Sequence, residues 1–205
     1  MSMIKSIING FLGRSRIDHV VNLSANPKLL HISDTPSQFY SELKRIITEL
    51  QPDYIIHTGD LADNIKIGLY PSSLHKYKHE VKSLLRILRE SSAKKVIVSL
   101  GNHDDRTFVR EHSGRIMIFE RQGDLTLEGV HIAFSHYSTD LMDVTSDLRL
   151  YGHDLASIDD DMNNERDLNG IVSMSLIDLV TLEITNIDYP IGTDNARLNR
   201  KKIGI

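Results

Sequence analysis

Five short apolar runs in this chain each stop at residues carrying an oxygen or nitrogen lone pair, and that punctuation limits what it can fold into. Lys28–Asp34 ends in Ser33-Asp34, and Tyr54–Asp60 ends in Gly59-Asp60. Lys95–His103 ends in Gly101-Asn102-His103, with Asp104 directly after it. Two later runs close on Ser135-His136 and Gly152-His153. Between the first three runs lie segments of helical period: Phe39, Leu43, Ile46, Ile47 and Leu50, then Leu74, Tyr77, Val81, Leu84, Leu85 and Leu88. Strand, helix and strand in alternation predict an α/β fold with parallel pairing. In such sheets the carboxyl ends of the strands line the ligand crevice, so the polar tips are expected to converge there.

After residue 114 the texture changes to short strand-like runs over 115–119, 125–127 and 130–134, with Glu128-Gly129 placed as a hairpin turn. That half is expected to be antiparallel. A polar, acidic stretch follows from Ser157 to Asn169, then a strand-rich segment over 171–187. The 205 residues, with 40% hydrophobic and 25% charged, suit a single domain over 1–205 with one sizeable core. Residues 1–14 space their apolar side chains as a short helix does, and the basic tail over 191–205 is expected to be mobile.

Composition excludes several functions. With no cysteine there is neither disulfide nor thiolate metal site, so any metal must be held by nitrogen and oxygen. The net charge is -4 and the basic residues are scattered, which gives no ground for a nucleic-acid groove. No stretch approaches the roughly 20 apolar residues that span a bilayer, and the N-terminus lacks the apolar run of a signal peptide. The chain is therefore expected to be soluble and, by default, cytoplasmic.

Carboxylate, amide oxygen and imidazole are together the donor mixture of a divalent cation such as Mn, Fe, Zn or Mg. Singly, each residue has a plainer reading: a strand-end Asp forms turns or caps helices, and a lone His is usually structural. The ordered series Asp34, Gly59-Asp60, Gly101-Asn102-His103-Asp104, His136 and Gly152-His153 resembles the signature of the calcineurin-like metallophosphoesterases, over residues 28–155. Gly-Asn-His-Asp is its most specific element.

That resemblance implies a two-sheet α/β/β/α sandwich with two cations side by side. It would have Asp60 bridge them, Asn102, His136 and His153 complete the second cation's shell, and Asp34 bind the first. It also implies that His103, oriented by Asp104, faces the phosphate and leaving group of a small phosphate ester.

Two positions depart from the family pattern. Asp-x-His is replaced by Asp34-Thr35-Pro36, and Gly-His-x-His by Gly152-His153-Asp154-Leu155. Both lost imidazoles belong to the first cation, so one cation is expected to be firmly bound and the other weak or absent. Asp154, His31 and the acids between Asp140 and Asp147 are the candidates to repair the loss. His31 and His57 lie three residues before a candidate ligand, where strand alternation turns them to the opposite face, as core or supporting residues. The expected activity is metal-dependent hydrolysis of a phosphomonoester or phosphodiester. The alternative is a catalytically weak or inactive binding module on the same scaffold.

Overall fold

The computed structural model describes residues 15, 17, 24–153, 166–190 and 192–197. The expected helix over 1–14, Asp154, Leu155, the acidic run over 159–165 and most of the basic tail lie outside the described residues.

Strand β1 (Lys28–Ile32) leads through a short 3-10 turn into helix α1 (Tyr40–Leu50) and on to β2 (Tyr54–His57). Helix α1 buries Tyr40, Leu43, Ile46 and Ile47, and stops where Gln51 turns left-handed before Pro52. Helix α2 (Leu74–Glu90) buries Tyr77, Val81, Leu84, Leu85 and Leu88, one apolar stripe along 17 residues. Then come β3 (Lys95–Ser99), α3 (Arg106–His112) and β4 (Met117–Phe119). Asp105 caps α3 by accepting the Phe108 N–H at 2.8 Å. The chain continues through β5 (Gly123–Leu127), β6 (Val130–Phe134), β7 (Leu148–Tyr151), β8 (Asp167–Asn169), β9 (Met174–Asp178) and β10 (Ile184–Ile187), with a short helix α4 (Thr193–Arg197).

These strands make two mixed sheets, of order β10-β9-β1-β2-β3-β4 and β5-β6-β7-β8. Together with the helices they form the expected α/β/β/α sandwich. One face of the larger sheet carries Leu30, Ile32, Ile55, Val96 and Val98 against α1 and α2. Its other face, with Leu29, Ile56, Ile97 and Ile177, packs on Ile132, Phe134, Leu148 and Leu150 of the smaller sheet. Phe119 and Phe134 join the two sheets edge to face, ring centroids 4.9 Å apart. Among the described residues no helix is long and apolar enough to cross a membrane.

The later half is antiparallel only in part, at β5–β6, at β9–β10 and where β9 pairs with β1. Strand β4 pairs in parallel with β3 and belongs to the larger sheet. In the smaller sheet only the β5–β6 hairpin is antiparallel, while β6–β7 and β7–β8 are parallel. The stretch 135–147 between β6 and β7 supplies the crossover of about a dozen residues that parallel pairing requires. Residue pattern marks a strand's faces and says nothing of its direction.

His31 on β1 and His57 on β2 are both fully buried. His57 Nδ1 accepts the Gly59 N–H at 3.1 Å, which leaves its proton on Nε2 to be donated to Thr35 Oγ1 at 2.9 Å. His31 Nε2 meets Thr58 Oγ1 at 3.0 Å. Burial pushes both rings down to about 3, so each is neutral at pH 7.

Two outcomes follow from this packing. Phe134→Ala should lower the unfolding free energy by about 3–5 kcal/mol, whereas Val172→Ala on the exposed surface should stay within about 0.5 kcal/mol; urea denaturation checks both. A depressed folded-state pKa gives stability that is present above the unfolded value and is lost as pH falls. Each buried ring should therefore cost about 2 kcal/mol by pH 5, and His57→Gln should make the fall in urea midpoint between pH 7 and pH 5 shallower than in the parent.

Candidate metal centre

The site forms because the loops following the strands are bonded to one another through their backbones. Thr58 N–H donates to the Ile32 carbonyl, Asp34 N–H to that of Gly59, and Thr35 N–H to that of Asp60. Gly152 N–H donates to the His136 carbonyl. Asp34, Asp60 and His153 take positive φ angles of 50°, 54° and 73°, a left-handed conformation that costs non-glycine residues on the order of 1–3 kcal/mol each. Two glycines let the loops close in: a Cβ on Gly101 would strike the Asp60 carboxylate, and one on Gly152 would strike Ser33 and the carboxylate of Asp34.

Four donors from separate loops converge. His136 Nδ1 lies 2.7 Å from the Thr58 carbonyl and must carry its proton toward that oxygen, so Nε2 presents a lone pair. Around Nε2 stand Asn102 Oδ1 at 3.1 Å, His153 Nδ1 at 3.1 Å and Asp60 Oδ2 at 3.5 Å. His153 Nδ1 donates to His136 Nε2 when it carries the ring proton; with that proton on its Nε2 instead, Asp60, His136 and His153 could hold one cation between them. Asp60 is 2% and His136 1% exposed, while Asn102 is open to solvent and leaves an approach.

Asp34 is also buried. Its Oδ2 accepts the Ser33 hydroxyl at 2.5 Å and the His153 N–H at 3.1 Å. One oxygen from each of Asp34, Asp60 and Asp63 lies within 4.8 Å of the others, a second group able to hold a metal. Sequence reading passes over Asp63, three residues after Asp60 in a turn, where an acid looks like ordinary turn chemistry. Burial, then Asp34, Asp104 and Asp63, drive Asp60 well above the usual carboxylate range. Asp63 is pushed up to about 6 by burial and then by Asp34, with Lys66 opposing.

The candidates for repair that lie among the described residues go elsewhere. His31 faces Thr58. Asp140 takes Arg121 and the Ser135 hydroxyl, Asp143 is exposed, and Asp147 accepts the His131 N–H.

His103 and Asp104 separate in role. Among the described residues no hydrogen bond joins them. Asp104 Oδ2 accepts from Asp60 N and Gly101 N at 2.9 and 2.8 Å; its Oδ1 accepts from Leu61 N and the Tyr77 hydroxyl at 2.9 and 2.8 Å. Asp104 thus braces the turn that presents Asp60. The His103 ring is held by Gly68, whose N–H donates to Nδ1 at 3.2 Å and leaves the ring proton on Nε2. Burial first, then Lys66, His136 and His153, lower His103 to about 4. Beside Asn102 and His136 opens a cavity of about 390 Å³, lined also by Arg106, Arg121 and Tyr137.

Comparison with known proteins agrees with this architecture. One crystal structure is 12% identical with a TM-score of 0.57, over 80% of this chain and 99% of its own. Yfce, a phosphoesterase from E. coli, is 13% identical with a TM-score of 0.49, over 80% of this chain and 99% of its own. A protein of unknown function from Aquifex aeolicus is 19% identical with a TM-score of 0.42, over 71% of this chain and 90% of its own. At such identity the first of these speaks for the fold alone. No curated protein matches. The family model for calcineurin-like phosphoesterases matches residues 27–183, most of the chain. The chain belongs to the calcineurin-like phosphoesterase family.

Proposed function

We propose that this chain is a metal-dependent phosphoesterase of low turnover, which grips a small phosphate ester through one well-built cation site. The observation that carries this reading is the convergence of Asp60 Oδ2, Asn102 Oδ1, His136 Nε2 and His153 Nδ1 on one point. Such nitrogen and oxygen donors suit a transition cation, Mn among them. When bound there, a cation supplies Lewis acidity toward a phosphoryl oxygen.

The remaining steps fall to the chain's own groups. Arg106, Arg121 and Glu120 line the neighbouring cavity, whose volume suits a small ester; Arg121 is paired with Asp140 and Arg106 lies 4.0 Å from Glu120, so an arginine that takes the ester's phosphoryl group exchanges its carboxylate partner for it. His103 Nε2–H can donate to a phosphoryl or leaving-group oxygen. A ring with a pKa of about 4 is neutral at pH 7, so it offers a hydrogen bond more readily than a whole proton. That is one reason for slow turnover. Pro36 and Leu155, where the family pattern has imidazoles, are the other.

The same two substitutions favour a second reading, in which the scaffold binds a phosphate-bearing partner without cleaving it, because fold does not certify chemistry.

Hydrolysis of p-nitrophenyl phosphate and bis(p-nitrophenyl) phosphate with added Mn²⁺ separates the two. Slow, cation-dependent release of nitrophenol is expected, with loss of the rate in His153→Ala and a fall of about 10²-fold in His103→Ala on a poorer leaving group. A Mn²⁺-loaded protein that cleaves neither ester would leave the binding reading in its place. A rate that survives His153→Ala would remove the proposed site from the reaction.

A further inference from the structure

We propose that the Tyr137 hydroxyl is a substrate-binding group of the cavity beside the metal centre, donating a hydrogen bond to a phosphoryl oxygen of the bound ester. The inference rests on the phosphoesterase reading above and deepens it by adding a residue that the metal centre itself leaves unused.

Tyr137 directly follows His136, between β6 and the 3-10 turn over Ser138–Leu141. Its ring packs edge to face against both candidate imidazoles, with centroids 5.0 Å from that of His136 and 4.5 Å from that of His153. The side chain is half-buried and lines the cavity of about 390 Å³ together with Asn102 and His136. Its hydroxyl has no hydrogen-bond partner among the described residues. An unpaired hydroxyl at a cavity wall is a donor free for a ligand.

The backbone holds this donor in place. Tyr137 N–H donates to Ser135 Oγ at 3.3 Å, and the Tyr137 carbonyl accepts the Asp140 N–H at 3.3 Å. Ser135 Oγ in turn donates to the Asp140 carboxylate at 2.8 Å, so one buried acid secures the chain on both sides of the tyrosine. A group already fixed loses less freedom when a ligand meets it.

Competition within the cavity favours the same group. Ser135 and Arg121 are bonded to Asp140, and Arg106 stands 4.0 Å from Glu120. Ser135 and Arg121 have to loosen those bonds to meet a phosphoryl oxygen, whereas the Tyr137 hydroxyl gives up no protein partner. Its position against the His136 and His153 rings places it beside the cation that would hold the same phosphoryl group.

Inorganic phosphate is the probe, titrated calorimetrically into Mn²⁺-loaded protein freed of excess metal. Tyr137→Phe keeps the ring against both imidazoles and removes the hydroxyl alone. It should retain the parent's Mn²⁺ affinity and urea midpoint while binding phosphate about tenfold more weakly, as loss of a hydrogen bond to a charged oxygen requires. A tyrosine with a merely structural role would move the Mn²⁺ affinity or the urea midpoint instead. Phosphate binding equal in Tyr137→Phe and the parent overturns the proposal, as does a loss of phosphate binding that tracks a loss of Mn²⁺. A parent that takes Mn²⁺ and no phosphate at millimolar concentration overturns it too. The phosphoesterase reading is judged separately, by Mn²⁺-dependent nitrophenol release from the parent. Release that persists unchanged in Tyr137→Phe leaves that reading standing, and its absence from the parent removes that reading without altering the phosphate result.

Discussion

A single buried carboxylate, Asp60, is shared by both halves of the centre, and its charge is what the surrounding structure has to accommodate. Taken from water among Asp34, Asp63 and Asp104, it is driven toward its protonated form. A cation reverses that preference. Asp60, His136 and His153 form one group able to hold a metal, and Asp34, Asp60 and Asp63 another.

Holding Asp60 in place uses much of the local architecture. The Asp104 carboxylate gathers three backbone N–H groups and the Tyr77 hydroxyl, so helix α2 is anchored to the turn that presents the ligand. His57 and Thr35 form a second brace beneath it. Left-handed backbone at Asp34, Asp60 and His153 is strain that the packed sheets below are rigid enough to sustain. Between the sheets Phe134 sits immediately before Ser135-His136, so core packing also sets where that imidazole stands.

Much of this was legible in the sequence because strand ends and helical stripes are local signals. Asp34, Asp60, Asn102, His136 and His153 follow apolar runs, and the structure brings all five together. The parallel direction of β4, β7 and β8 was not legible, since alternation marks faces and leaves direction to the crossovers. Asp63 was missed because an acid three residues past Gly59-Asp60 has the composition of any turn, and only burial with an unpartnered oxygen distinguishes it. The support of His103 was equally hidden. Its neighbour Asp104 suggested a pair, whereas Gly68, 35 positions away, holds the ring.

Asp60, His136 and His153 gather nitrogen and oxygen donors, whereas Asp34, Asp60 and Asp63 offer oxygen alone. The direct measurement is a crystal structure of the Mn²⁺-loaded chain with data collected at the manganese edge. An anomalous peak within bonding distance of Asp60, Asn102, His136 and His153 is the expected result. A map with no peak there, or with manganese bound only at other residues, contradicts the reading of this site as a metal centre.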